Sequence, residues 1–179
     1  MFRLFAALEL PPHIRDALLA AQGGVAGARW QRDDQLHLTL RFIGEVDRHQ
    51  AQDISAALAT VNVQPFTLSL SHPGTFEKPR FEGRGRIDTL WVGVTPQADV
   101  STLSRRIDAA LARAGLPPET RAFIPHITMA RGRMIDPLAG FPARPLPVAP
   151  FTIKGFALYE SLMGRDGSDY NVLERYPIS

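Results

Sequence analysis

Apolar and polar residues alternate along several short stretches of the chain. Such alternation predicts β-strands, because successive side chains of a strand point to opposite faces. It is clearest over 29–42, where it is regular from Leu36 to Phe42, over 66–71 and over 89–94, and an apolar stretch at 2–8 predicts a buried first strand. Further strands are predicted at 121–131 and near 151–160 and 170–176. The chain is therefore expected to contain about eight strands.

Three other stretches repeat apolar residues at helical spacing. Helices are predicted from Pro11-Pro12 to Gly23-Gly24, from Asp47 to about Thr60, and from Asp99 or Ser101 to about Ala114. Proline suits the first turn of a helix, and aspartate caps the free N–H groups there. Gly115 follows the third helix and is placed to end it.

The order of these elements is similar in the two halves of the chain. Helices that alternate with hairpin-like strand pairs predict an α+β fold, with the helices outside and a sheet surface facing a cleft. At 179 residues the chain is expected to form one domain over 1–179, built from two comparable lobes. A proline-rich connection lies between Pro137 and Pro150, and a glycine- and arginine-bearing loop is predicted at 78–86.

One tetrapeptide type occurs once in each half. His37-Leu38-Thr39-Leu40 returns 89 residues later as His126-Ile127-Thr128-Met129. On a strand, His and Thr two residues apart share one face, and the two apolar residues point toward the core. Shuffling this composition would give about 0.3 His-x-Thr tripeptides per chain. Two matches with apolar neighbours at half-length spacing therefore favour a functional pair over two structural histidines.

The pair of motifs has a definite chemical meaning. Two imidazoles can serve as general acid and general base near neutral pH, and two hydroxyls can hydrogen-bond the oxygens of a phosphate between them. Such chemistry needs one neutral and one protonated imidazole on opposite sides of the phosphorus. The spacing alone does not say which histidine takes which role.

Composition narrows the class of protein. The absence of cysteine excludes disulfides, thiol nucleophiles and zinc–cysteine sites, and it fits a cytoplasmic location. No apolar run is long enough to suggest a membrane helix, so no membrane association is expected. The net charge of +2 is no nucleic-acid signature by itself, although arginine accounts for 18 of the 20 basic residues. Arginine suits phosphate recognition, and codon usage is the alternative explanation.

With these motifs and their surroundings the chain resembles the two-histidine (2H) phosphoesterases. Within them it is similar to the bacterial 2′-5′ RNA ligase-like group, also described as RNA 2′,3′-cyclic phosphodiesterases. The resemblance spans nearly the whole sequence. It is carried by residues 3–11, 36–46, 90–94, 123–131 and 158–161.

The resemblance implies a bilobal, pseudo-twofold fold in which two antiparallel sheets flank a cleft and each lobe supplies one motif. It implies hydrolysis of a terminal 2′,3′-cyclic phosphate on RNA to a 2′-phosphate, without metal or cofactor. By the same resemblance, His37 is the proton donor, His126 is the proton acceptor, and Thr39 and Thr128 hold the non-bridging oxygens. In reverse, an RNA 5′-hydroxyl would replace water and form a 2′-5′ bond without ATP.

Several supporting residues have two interpretations. Either Arg131 or Arg133 is expected to clamp the phosphate. Arg131 would lie off the catalytic face if its strand ran on regularly. Phe42 and Phe123 are candidates for stacking on a base or for core packing. Tyr159 either reaches the pocket or is a buried structural residue. The loop at 78–86 carries four basic residues against one Glu and is either an RNA-backbone contact or a solvated hairpin.

The expected partner is RNA that ends in a 2′,3′-cyclic phosphate, with tRNA halves among the candidates, and the protein is expected to be a monomer. Metal hydrolases and serine hydrolases are disfavoured, because their His-carboxylate clusters and Gly-x-Ser-x-Gly signature are absent from the sequence. Two alternatives remain. One is a sibling 2H activity on 2′-5′ oligonucleotides or a cyclic nucleotide metabolite, and the other is a non-catalytic module that binds RNA ends.

Overall fold

The structure, a computed structural model, describes residues 1–78, 86–132, 135, 141, 145–164 and 167–179. Over these residues the chain forms nine strands and three α-helices. The strands are β1 Phe2–Glu9, β2 Arg29–Trp30, β3 His37–Val46, β4 Phe66–Lys78, β5 Arg86–Thr95, β6 His126–Arg131, β7 Phe151–Ile153, β8 Gly155–Gly164 and β9 Gly167–Pro177. The helices are α1 Pro12–Ala20, α2 Arg48–Leu58 and α3 Ala98–Arg113, and a single 3-10 turn covers Asp33–Gln35.

All strand pairs are antiparallel, in the order β7-β4-β5-β6-β3-β1-β8-β9, and β2 pairs with β6. The α+β class is therefore confirmed. The first lobe contributes β3, β1, β8 and β9, and the second contributes β6, β5, β4 and β7. The two four-stranded halves meet where β3 and β6 share one residue pair, Leu38 with Ile127. Both motif strands consequently lie side by side at the centre of the curled sheet.

The helix limits follow local chemistry. Pro12 opens α1, and the Asp47 carboxylate accepts a hydrogen bond from the N–H of Gln50 to cap α2, as predicted. The predicted start of α3 at Asp99 or Ser101 was slightly wrong. The helix begins at Ala98, and Asp99 lies in its first turn, where a carboxylate interacts favourably with the helix dipole.

The apolar residues of the two motifs pack into the main core. Leu38, Leu40, Ile127 and Met129 are each at most 3% exposed, which confirms the predicted facing. The helices cover the same core with their apolar faces, which include Ile14 and Leu18 of α1, Ile54 and Leu58 of α2, and Leu103 and Ile107 of α3. The opposite face of the central strands is thereby left for the His and Thr side chains.

Two predicted stretches differ from the observed strands. The 3-10 turn at Asp33–Gln35 separates β2 from β3, because β2 pairs with β6 while β3 pairs chiefly with β1. The second motif strand begins only at His126, directly after Pro125, whose ring removes a backbone N–H. The predicted loop at 78–86 lies almost wholly outside the described residues, as does Arg133.

Gly74 of β4 makes room for an aromatic ring. It pairs with Trp91 of β5, and a Cβ built on Gly74 would lie 2.2 Å from the indole ring. Trp91 in turn packs beside His126, with their ring centroids 5.9 Å apart. A side chain at residue 74 would therefore displace the wall of the second motif.

We expect Gly74→Ala to lower the free energy of unfolding by about 1–3 kcal/mol, the usual cost of overpacking. Because Trp91 must move, turnover should fall more than stability alone would explain. Chemical denaturation and an activity assay at a temperature where the variant is fully folded measure the two effects. Thr67→Ala, on an exposed position of the same strand, is the control and should change stability by less than about 0.5 kcal/mol. Equal stability of Gly74→Ala and wild type would contradict the packing argument.

Candidate active site

Each motif strand carries a β-bulge directly after its threonine. On β1, Ala7 pairs with Thr39 and its neighbour Ala6 pairs with Arg41, so Leu40 is the extra residue of β3. On β5, Trp91 pairs with Thr128 and its neighbour Leu90 pairs with Ala130, so Met129 is the extra residue of β6. A bulge places two residues opposite one and shifts the alternation of faces. The two bulges lie 89 residues apart, at equivalent positions of the two halves.

The bulges determine which residue comes after each threonine on the cleft face. Beyond the bulge, Phe42 of β3 lies opposite Phe5, and Arg131 of β6 lies opposite Thr89. Regular alternation had predicted that Arg131 would lie off the catalytic face, and that expectation was wrong. Both residues line the same cavity as the two histidines.

His37 rests on a group of aromatic rings. Its ring centroid is 4.9 Å from Phe5 and 5.1 Å from Tyr170, which meets the imidazole edge-on. Tyr159 stacks on Phe5 at 5.0 Å and also lies 6.0 Å from the imidazole of His37. These rings form a small second core with Ala7 and Ala157 on the cleft side of the sheet. The packing fixes the plane of the imidazole.

His126 has an equivalent aromatic setting in the other lobe. Phe76 meets its ring edge-on at a centroid distance of 4.8 Å, and Trp91 lies 5.9 Å away. Phe76 and Trp91 also contact each other. The two histidines thus have different neighbours, but in each lobe aromatic rings position the imidazole.

The backbone sets the same tautomer in both imidazoles. Nδ1 of His37 lies 2.8 Å from the carbonyl oxygen of Gln35, and Nδ1 of His126 lies 2.7 Å from that of Ile124. A carbonyl oxygen only accepts, so Nδ1 must carry the hydrogen and donate it. In the neutral imidazole Nε2 then has a free lone pair. Nε2 of His37 accepts from the hydroxyl of Thr39 at 3.0 Å.

Both histidines are poor bases in the free protein. Burial lowers the pKa of His37 to about 4, the carbonyl of Gln35 partly opposes this, and the charges of Arg131 and His126 lower it further. Burial also lowers the pKa of His126, again with a contribution from Arg131. At neutral pH both rings of the free protein are therefore uncharged.

Arg131 supplies positive charge beside the two histidines. It is exposed, and no carboxylate in the described parts of the chain lies within ion-pair distance of it. A guanidinium in this position suits a phosphate, which it can bind through two N–H groups. Among the described residues, no three His, Asp or Glu side chains come together as metal ligands. None of the helices in the described ranges has the length and apolarity that crossing a membrane requires.

The cleft is large and open, with a volume of about 1140 Å³. It contains both histidines, both threonines and Arg131, so the structure brings the two motifs together. Phe42 is 44% exposed and stacks on Phe5, which leaves one of its faces accessible. Phe123 also lines the cleft, although part of its ring packs on the main core.

Tyr159 is the site candidate that the structure removes from the cleft. Its side chain is only 7% exposed, and Phe5 covers it, so it supports the ring beneath His37. Burial raises the pKa of its hydroxyl. A base in the cleft has no direct access to this ring. The structure therefore agrees with the structural interpretation of Tyr159 and does not place its ring where a base could stack on it.

Sequence reasoning missed Phe5, Phe76, Trp91 and Tyr170. Each of them lies on a different strand from the motif it supports, or far along the chain from it. The alternation in 89–94 did place Trp91 on one face, but no signal paired that face with His126. Only the strand register could have shown this contact.

Arg41 was also missed, and it ties the first motif strand to the approach to the second. Its side chain is 11% exposed and donates to Asp108 of α3 at 2.8 Å and to the carbonyl of Pro117 at 2.7 Å. It also approaches Glu119 at 3.4 Å and the carbonyl of Phe42 at 2.5 Å. This network holds residues 117–119 beside β3, and the same segment leads to His126.

The comparisons with known proteins agree with this geometry. The sequence model of the family described as LigT like Phosphoesterase matches residues 8–86 and 92–168, one match for each half. The chain therefore belongs to the LigT-like phosphoesterases of the 2H class.

Individual relatives span nearly all of the chain. It is 31% identical to the RNA 2′,3′-cyclic phosphodiesterase of Thermus thermophilus over 98% of this chain and 90% of that protein. It is 28% identical to the protein of the same name from Escherichia coli, over 99% and 97%. Its fold matches the crystal structure of E. coli LigT complexed with 3′-AMP with a TM-score of 0.81, at 27% identity, covering 99% and 98% of the two chains.

The charge of Arg131 gives a direct test of the site. We expect Arg131→Ala to raise the pKa of both His37 and His126, because a cation that disfavours the imidazolium is removed. Inorganic phosphate should raise both pKa values in the wild type and do so less in the variant. NMR titration of the two imidazole Cε1–H signals measures this. Arg48→Ala, on exposed α2, is the control and should leave both values unchanged. Unaltered histidine titration in Arg131→Ala would show that the guanidinium does not act on the site.

Proposed function

We propose that the protein hydrolyses a terminal 2′,3′-cyclic phosphate on RNA to a 2′-phosphate. The observation that carries the proposal is the pair of imidazoles in one cleft beside Arg131, each with Nδ1 bonded to a backbone carbonyl so that Nε2 is the nitrogen that can exchange a proton. The names of the relatives support the RNA substrate and the cyclic phosphate. Reversal of the reaction would give ATP-independent 2′-5′ ligation.

In the proposed mechanism, Nε2 of His126 accepts a proton from water as the water oxygen attacks phosphorus. The bond from phosphorus to the 3′-oxygen breaks, and Nε2–H of His37 donates its proton to that oxygen. The product keeps its phosphate on the 2′-oxygen. Arg131 and the hydroxyls of Thr39 and Thr128 balance the charge on the non-bridging oxygens.

Substrate binding would itself prepare the acid. An anionic phosphodiester beside His37 raises the low pKa of this ring and allows it to take up a proton. Once Nε2 is protonated it can no longer accept from Thr39. The threonine hydroxyl then becomes available to a phosphate oxygen. Protonation of His37 and phosphate binding by Thr39 are thereby coupled.

Product analysis tests the proposal most directly. A short RNA that ends in a 2′,3′-cyclic phosphate should yield only the 2′-phosphate, and excess EDTA should not change the rate, since no step requires a metal. Chromatography against authentic 2′- and 3′-phosphate standards distinguishes the products. A 3′-phosphate product would mean that the 2′-oxygen leaves, which contradicts the proposed mechanism. Loss of activity in EDTA that Mn²⁺ restores would indicate a metal-dependent hydrolase.

Removal of either imidazole should nearly abolish turnover. We expect His37→Ala and His126→Ala each to lower kcat by about 10²–10⁴, the usual contribution of a positioned acid or base. The double variant should be far less than multiplicatively slower, because the two residues act as a unit. His49→Ala, on exposed α2, is the matched control and should be fully active. More than a tenth of wild-type activity in either site variant is incompatible with the mechanism.

The lowered pKa values shift the expected pH optimum below the neutral range in which unperturbed imidazoles act. The pH dependence of kcat/KM reports the free protein, in which both imidazoles lose their protons below the ordinary histidine pKa of about 6.5. We therefore expect a bell-shaped kcat/KM profile with its maximum on the acid side of neutrality. The kcat profile should lie at higher pH, because bound phosphate raises both pKa values. Coincident profiles would argue against coupling between phosphate and imidazoles.

A further inference from the structure

The cavity extends well past the two motifs. Its volume of about 1140 Å³ exceeds the roughly 300–1,000 Å³ typical of sites for single small ligands. Beyond Phe42 it continues as a groove between α3 and the segment 117–124. The α3 side of this groove is lined by Ser101, Arg105, Asp108, Ala109 and Ala112. Since the groove and the cleft form one cavity, a chain bound in the cleft can run on into the groove.

Phe42 lies where the cleft and the groove join. Its ring stacks on Phe5, which belongs to the bed under His37, and its carbonyl accepts from Arg41, which lies at the base of the groove. A nucleotide whose cyclic phosphate meets the two histidines has a base-sized face available at Phe42. The residue that precedes it in the RNA would then enter the groove.

The charges of the groove suit a phosphate. Its two carboxylates are already paired, Asp108 and Glu119 with Arg41, and Glu119 also with Arg121. Arg105 is exposed, hydrogen-bonds the hydroxyl of Thr102, and has no carboxylate within ion-pair distance among the residues that the structure describes. Arg121 uses Nε and Nη2 on Glu119, and its side chain is 78% exposed. The groove therefore presents the Arg105 guanidinium, which forms no ion pair with a described carboxylate, and the Arg121 guanidinium, whose Nη1 is not bonded to Glu119.

The walls leave room between these cations. Ala109 and Ala112 lie on the groove side of α3, so no long side chain from these positions fills the space. Glu77, the other carboxylate that lines the cavity, lies on β4 in the lobe of His126 and outside the groove. An anionic strand is thus favoured on the side of α3.

We propose that this groove is a second nucleotide subsite, which binds the RNA residue upstream of the cyclic phosphate. Arg105 and Arg121 contact the backbone phosphate that joins the two nucleotides. The subsite rests on the proposed function, because it assumes that the cyclic phosphate occupies the cleft. It makes the protein a reader of RNA ends at least two nucleotides long.

The experiment compares a cyclic mononucleotide with a dinucleotide that ends in the same 2′,3′-cyclic phosphate. The measured quantity is the ratio of the two kcat/KM values. In the wild type the dinucleotide should be preferred about tenfold or more, and the preference should shrink as salt is raised, since exposed charges are screened. A ratio near one at low salt would overturn the subsite.

Variants of α3 test whether the groove causes the preference for the dinucleotide. Arg105→Glu should lower the ratio about threefold to tenfold, as expected for loss and reversal of an exposed phosphate contact. Ala109→Trp should fill the groove and lower it similarly by a steric route. Arg113→Glu, exposed on the same helix but outside the cavity, is the matched control and should keep the wild-type ratio. If Arg105→Glu retains the wild-type ratio, the groove does not bind the upstream phosphate.

The experiments give different results if the proposed function is wrong and if only the proposed subsite is wrong. If the wild type turns over neither substrate, the proposed reaction is wrong, and binding then tests the groove alone. Calorimetry with a dinucleotide 2′-phosphate and with the matching mononucleotide 2′-phosphate should still show tighter dinucleotide binding that Arg105→Glu weakens. Equal affinities for the two ligands in the wild type would overturn the subsite by this route as well.

Discussion

The site depends on the extra residue that each motif strand carries after its threonine. A regular strand would continue its alternation past the threonine, and Phe42 and Arg131 would point away from the cleft. The bulges at Leu40 and Met129 let these apolar side chains remain in the core, while the chain beyond them turns its other face to the cleft. One backbone irregularity, present twice, therefore unites the two histidines with an aromatic ring and a cation.

Around this backbone the two imidazoles are held in fixed orientations and are weaker bases than a free histidine. The aromatic rings beside His37 and His126 cover part of each imidazole, and burial is the main cause of the low pKa of each imidazole. The backbone carbonyls of Gln35 and Ile124 hold the rings in one tautomer and partly offset that effect. At neutral pH the free cleft is consequently uncharged at its two histidines, and under the proposed mechanism an incoming anion would create the charged form that the acid needs. Reactivity would then depend on occupancy of the cleft.

Much of this could be predicted from the sequence, because the relevant signals are local. The strand alternation, the Asp47 cap and the repeated His-x-Thr are all readable within a few residues, and they predicted the α+β class and the cleft-facing histidines. The position of Arg131 could not be read in this way, since a bulge is set by pairing with a distant strand. The same holds for Tyr159, whose burial comes from stacking on Phe5, and for Arg41, whose partners lie 67 and 78 residues away.

Phe42 and Arg131 occupy comparable places in two halves that are otherwise alike in design. If both places held the same residue, a phosphodiester could lie in the cleft in two opposite senses, and each histidine would meet either oxygen of the ester. A ring on one side and a guanidinium on the other remove that degeneracy. The duplicated scaffold thus acquires a direction at this pair of positions, and under the proposed reaction that direction would decide which ester oxygen leaves.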